Sequence, residues 1–154
     1  MKFSPIIILV AFFGSFYSCK KEKLEGEKSI LIGEWEWVAT IGIIEYCDPD
    51  FMYSVNLTPA SEGTNYQIRI LEKGVLYFYE GTDLKWKSKI QVPYFGSDCG
   101  DPYNVGFQLE MLDATTQDFY GCVGPDTLGV KCNRPDFPFA ETECEAYYSY
   151  FVRK

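Results

Sequence analysis

Gly33-Glu34-Trp35-Glu36-Trp37-Val38-Ala39-Thr40-Ile41-Gly42 is the stretch whose reading decides the fold. Trp35, Trp37, Ala39 and Ile41 take one side of a period-two alternation, and Glu34, Glu36, Val38 and Thr40 take the other. That pattern marks a strand with one buried face, and its β-branched and aromatic content agrees. A Gly two residues ahead of Trp35 suits the first strand of a small barrel. The Trp closes one end there, and the Gly lets the backbone pass close by.

Working outward, the chain keeps the same grammar. Tyr66, Ile68 and Ile70 alternate with Gln67, Arg69 and Leu71, and Glu72-Lys73-Gly74 makes a tight loop with Gly at the left-handed position. Val75 to Tyr79 returns, apolar on both faces. Leu84, Trp86, Ser88, Ile90 and Val92 form one face of the next strand, with Lys85, Lys87, Lys89 and Gln91 on the other. Pro93 to Asn104 reads as a loop, Val105 to Leu112 and Gln117 to Val123 as strands, and Gly124-Pro125-Asp126 as a turn. Thr127 to Lys131 and Ala146 to Arg153 complete the set. These are eight short strands, nearly all joined by turn-like loops, with no sustained 3.6-residue period. They predict an all-β, eight-stranded up-and-down antiparallel barrel. Such a barrel is filled by side chains or holds one small ligand. Cys47 to Gly63 is a longer connection: a lid, an extra edge segment or a mobile loop.

The first residues have a different character. Met1-Lys2 is basic, Pro5 to Tyr17 is apolar, and Ser18-Cys19 meets Lys20-Lys21-Glu22-Lys23. The run is too short for an ordinary spanning helix and reads as a signal peptide over residues 1–18. The small-residue-then-Cys junction resembles a bacterial lipobox, with Phe16-Tyr17 where Leu and a small residue are commoner. Acyl chains such as palmitate on Cys19 would anchor an exported domain firmly. Residues 19–29, rich in Lys and Glu, read as a solvated tether, and residues 30–154 as the barrel domain.

Composition removes several functions. The net charge of −8 disfavours nucleic acid as a partner. The chain has no histidine, so Ser-His and Cys-His nucleophiles and His-based zinc sites are out. No metal or other cofactor is expected. Glu34 and Glu36 share a face, as do Glu141, Glu143 and Glu145 if extended. Paired carboxylates must flank a cleft to cleave glycosides, and these read as surface. The expectation is a non-enzymatic protein, and a monomer.

The chain resembles the bacterial lipocalin-like lipoproteins. The likeness rests on Ser18-Cys19-Lys20-Lys21, on Gly33 to Val38, on Thr58-Pro59 to Tyr79 with its Gly74 hairpin, and on Asp126-Thr127-Leu128 followed by the terminal Tyr-Phe-Val-Arg-Lys. The resemblance implies a lipid-anchored barrel at the outer membrane, on its periplasmic or cell-surface side. It also implies barrel closure by Gly33, Trp35 and Arg153, with the guanidinium over the indole.

Two kinds of residue remain. Six cysteines in an exported chain allow disulfides. Cys132 and Cys144 flank a hairpin loop and are expected to bridge, which is worth about 3 kcal/mol in the chain-entropy model. Cys47 and Cys99 are expected to meet at one barrel end, leaving Cys122 as a buried thiol. Cys122 with Cys99 or Cys132 stays open. Trp37, Tyr66, Trp86 and Phe107 are the candidate inward-facing ligand contacts, for a small apolar or amphipathic molecule. The rival expectation is a solid barrel that binds a protein or glycan through aromatic loops at Tyr94-Phe95 and Phe137-Pro138-Phe139.

Overall fold

The computed structural model describes residues 23–45, 52–96, 99, 105–112, 118–132, 137–138 and 145–154. The expected signal peptide, Cys19, Cys47 and Cys144 lie outside them. Nine strands follow a short 3-10 helix at Gly26–Leu31: β1 Gly33–Glu45, β2 Met52–Leu57, β3 Tyr66–Leu71, β4 Val75–Glu80, β5 Asp83–Phe95, β6 Val105–Met111, β7 Asp118–Val123, β8 Thr127–Cys132 and β9 Glu145–Arg153. All pair antiparallel, and β1 meets β9 to close eight of them into a barrel.

The extra strand is β2, in the segment whose sequence left an edge strand as one of three readings. It pairs with Thr40–Glu45 of β1, whereas β3 pairs with Gly33–Glu36 on the same side. The strand β1 is therefore shared lengthwise between two neighbours. A four-residue helix, α1 (Pro59–Glu62), links β2 to β3. Thr58 caps it by accepting from the Ser61 amide, and Ser61 Oγ accepts from the Thr58 amide in return.

Two irregularities correct the strict alternation read from sequence. Opposite β9, Trp37 faces Phe151 and Ala39 faces Tyr150, so Val38 bulges out. A bulge adds one residue and reverses the faces beyond it. Thr40 is consequently buried (0% exposed), and Ile41, expected inside, is 48% exposed. Gly42 now faces in. A Cβ there would lie 2.5 Å from the Tyr147 ring, so only Gly admits that ring. On β5, Phe78 faces Trp86 and Tyr79 faces Leu84, a second bulge. It turns Leu84 outward, 49% exposed, while Trp86, Ser88, Ile90 and Val92 stay buried. The strand β5 also runs on through Pro93 to Phe95, where the sequence predicts a loop. Its register slips between Gln91 and Tyr94, and a bulge is where a strand tolerates Pro.

One end of the barrel is sealed, and we call it the floor. Trp35 is fully buried, and its Nε1 donates to the Leu31 carbonyl at 3.0 Å. The Arg153 guanidinium lies 4.1 Å from the ring centroid. It donates to the carbonyls of Ile32 (2.7 Å), Ile30 (2.8 Å) and Pro125 (2.7 Å). A Cβ on Gly33, whose φ is +154°, would come within 2.5 Å of Nη1. The expected tether also ends sooner than its charges suggested. Leu24 is buried, its amide donates to the Glu72 carbonyl, and Lys23 pairs with Glu72 at 3.0 Å. One apolar side chain among charges is enough to dock the segment from residue 23 onward.

The cysteines pair differently from the first expectation. Cys99 bridges Cys122, Cα atoms 6.1 Å apart, so Cys99 does not join Cys47 and Cys122 is not a thiol. Cys122 points outward between inward-facing Phe119 and Val123, where a loop residue reaches it. Cys132 does not bridge Cys144. It shares the inward parity of Leu128 and Val130, and its thiol is buried in the barrel core.

Candidate ligand site at the barrel mouth

The end opposite the floor is the mouth, and aromatic side chains from five strands and one loop converge on it. Tyr66 of β3 sits 5.2 Å from Trp37 and 5.7 Å from Phe78 of β4, centroid to centroid. Phe78 stacks on Trp86 of β5 at 5.1 Å, and Trp86 tilts against Phe119 of β7 at 6.1 Å. Phe137, from the β8–β9 loop, drops between Phe78 (5.2 Å) and Phe119 (5.4 Å, edge-on) and is 3% exposed. Tilted and offset pairs at such separations suit the ring quadrupoles.

Beside Trp37, the Val38 bulge has a polar consequence. It turns Thr40 inward, where Oγ1 accepts from Trp37 Nε1 at 2.9 Å and hydrogen-bonds Ser149 Oγ at 2.9 Å. A buried indole N–H needs such a partner. The rest of the described interior is packed with side chains: Ile68, Ile70, Leu76, Ile90, Leu109, Met111, Leu128 and Phe151 are all buried.

A concavity of about 440 Å³ remains at the mouth, lined by Tyr66, Phe78, Glu80, Lys85, Trp86, Phe137 and Pro138. Its walls are aromatic, and its rim carries the Glu80–Lys85 ion pair. Burial, and then the Glu80 and Glu62 charges, raise the Tyr66 phenol above its ordinary value, so it is a neutral donor at physiological pH. The hydrogen bond to Glu80 holds Lys85 protonated. The site offers flat apolar surfaces, a hydroxyl and one charge of each sign.

Of the four expected ligand contacts, the structure brings Tyr66 and Trp86 to this concavity. Trp37 stands behind Tyr66 and supports it. Phe107 does not reach it, since it faces Phe95 and Gly121 toward the floor. Phe78, Glu80, Lys85 and Phe137 were missed. The parity of Leu76 and Phe78 on β4 would have found Phe78, but nothing local marks Phe137 as an inward residue. Phe139 lies outside the described residues, and Tyr94 stands on β5 rather than on a loop. Glu34 and Glu36 are engaged on the outer wall, with Arg69 (3.3 Å) and Asn65 (2.6 Å).

A second groove, about 290 Å³, lies on the outer wall, lined chiefly by Tyr94, Tyr120, Tyr148, Gln108, Lys131 and the Cys99–Cys122 bridge. Burial raises the Tyr148 phenol as well. Among the described residues, no cluster of acidic and cysteine side chains has the makings of a metal site. The chain matches no family model, no curated protein and no solved structure.

Proposed function

We propose that this chain is an exported lipocalin-like lipoprotein, anchored through Cys19, that holds a small amphipathic ligand at the barrel mouth. The supporting observation is the concavity itself: aromatic walls from Tyr66, Phe78 and Trp86 under a Glu80–Lys85 rim, above an interior that is otherwise packed. A flat apolar body fits the rings, and a polar head fits the rim. No step of covalent chemistry is assigned to the site. Native mass spectrometry of the protein purified from its own source tests the reading. The expected result is an added small-molecule mass that is lost in Trp86→Ala. A bare polypeptide mass, with no change of tryptophan fluorescence across a panel of amphipaths, would count against it.

The second reading is an interaction module on a solid barrel. The packed interior and the tyrosine-walled outer groove favour it. In that case Tyr94→Ala and Tyr120→Ala abolish capture of a protein or glycan, while mouth variants leave it unchanged.

A further inference from the structure

Five of the 14 cationic side chains of this acidic chain share one wall. Arg69 of β3, Lys85, Lys87 and Lys89 of β5, and Lys73 of the β3–β4 turn are all exposed. Between them stand Tyr77 and Tyr79 of β4, their rings stacked at 6.4 Å. Register places Arg69 opposite Tyr77 and Tyr77 opposite Lys87, with Val75 opposite Lys89. Of the acidic neighbours, Glu34 holds Arg69, Glu80 holds Lys85 and Glu72 holds Lys23, while Glu110 of β6 stands opposite Gln91 at the edge of the wall. Asp83 lies at the far end. Lys73, Lys87 and Lys89 have no acidic partner among the described residues, and they cluster at the floor end of the wall.

The tether enters the barrel at the same corner. Lys23 and Leu24 are fixed to Glu72, beside Lys73. Lys23 stands four positions after Cys19, a reach of about 14 Å when fully extended. An acyl chain on Cys19 would therefore hold this corner at the headgroup level.

We propose that the outer face of β3–β5 is a membrane-docking surface that lies on anionic headgroups of the bilayer holding the anchor. This rests on the reading of Cys19 as lipidated. Lysines near an anionic surface gain attraction that falls off within a Debye length, and tyrosine rings suit the boundary between headgroup and acyl chain. Docking fixes the barrel on its side, so the mouth opens along the membrane plane.

The test uses the full lipidated protein in vesicles of phosphatidylcholine, with and without phosphatidylglycerol. Lysines are acylated with a water-soluble reagent and tyrosines nitrated, and both are read by peptide mass. With phosphatidylglycerol, labelling of Lys87 and Lys89 falls about fivefold relative to Lys131 on the opposite wall, and Tyr77 and Tyr79 are protected. Salt of about 1 M, where the Debye length is about 3 Å, restores labelling. The variant Lys73→Gln, Lys87→Gln, Lys89→Gln loses the tyrosine protection while keeping its melting temperature. Equal labelling in both vesicle types, or protection of Lys131 instead, overturns the proposal. The mass of the N-terminal peptide separates the two failures. Acylated Cys19 without protection overturns the docking face alone, and unmodified Cys19 overturns the anchor and the face together.

Discussion

Trp35 and Trp37 differ by one pleat and by what their ring nitrogens touch. Trp35 donates to a backbone carbonyl and lies under Arg153, while Trp37 depends on one hydroxyl. Trp35→Ala removes a fully buried ring and is expected to cost about 3–5 kcal/mol, read as a lower urea midpoint at unchanged slope. Thr40→Val keeps the volume but strips Trp37 Nε1 of its acceptor. The cost of an unsatisfied buried donor is about 1–3 kcal/mol, again by urea unfolding. A Thr40→Val, Ser149→Ala double variant should lose less than the sum, because the two hydroxyls share one bond. Tyr66 and Tyr148 give a pH signature. Both folded pKa values are raised above the ordinary 10.0, so the neutral phenols favour the fold. That stability is fully present below pH 10 and is lost as pH rises through the folded values. Chemical denaturation across alkaline pH, followed beside phenolate absorbance, should show stability falling as the two rings ionise. A tyrosine titration unaffected by unfolding would contradict it.

At the scale of strands, the disulfide from the β5–β6 loop to β7 and the Phe137 insertion do the most beyond pairing. The Cys99–Cys122 bridge spans 23 positions, a loop worth about 3 kcal/mol in the chain-entropy model. A Cys99→Ser, Cys122→Ser variant should melt at a lower temperature than the oxidised protein. Phe137→Ala empties ring-sized space between Phe78 and Phe119. It should cost about 3 kcal/mol and raise the affinity of the mouth for a flat fluorescent amphipath. The strands themselves were largely legible, because period-two patterns and turn residues are local signals. Where the reading failed, the cause was non-local. Nothing in Trp37-Val38-Ala39 announces a bulge, which is set by registration against β9. Nothing in Cys132 tells which partner lies within reach, since only the inward parity of β8 turns that thiol away from the loop. The β2 strand was ambiguous because its residues gain order only by lying along β1. The mouth was half legible for the same reason. Tyr66 and Trp86 announce themselves by alternation, whereas Phe137 arrives from a connection.

Taken whole, the molecule has a sealed end, an aromatic end and two dissimilar walls, one cationic and one lined with tyrosines. The seam between β1 and β9 joins distant parts of the sequence: Arg153 bonds to Ile32 across 121 positions. The seam has a temporal meaning. At synthesis rates of about 5–20 residues per second, roughly 6–24 s pass between the emergence of Ile32 and that of its partner. Throughout that interval the β9-facing edge of β1 has no native mate. An open edge invites pairing with other chains, and loop closure over such a distance is slow. The barrel therefore cannot close before its last strand, Glu145–Arg153, has been made.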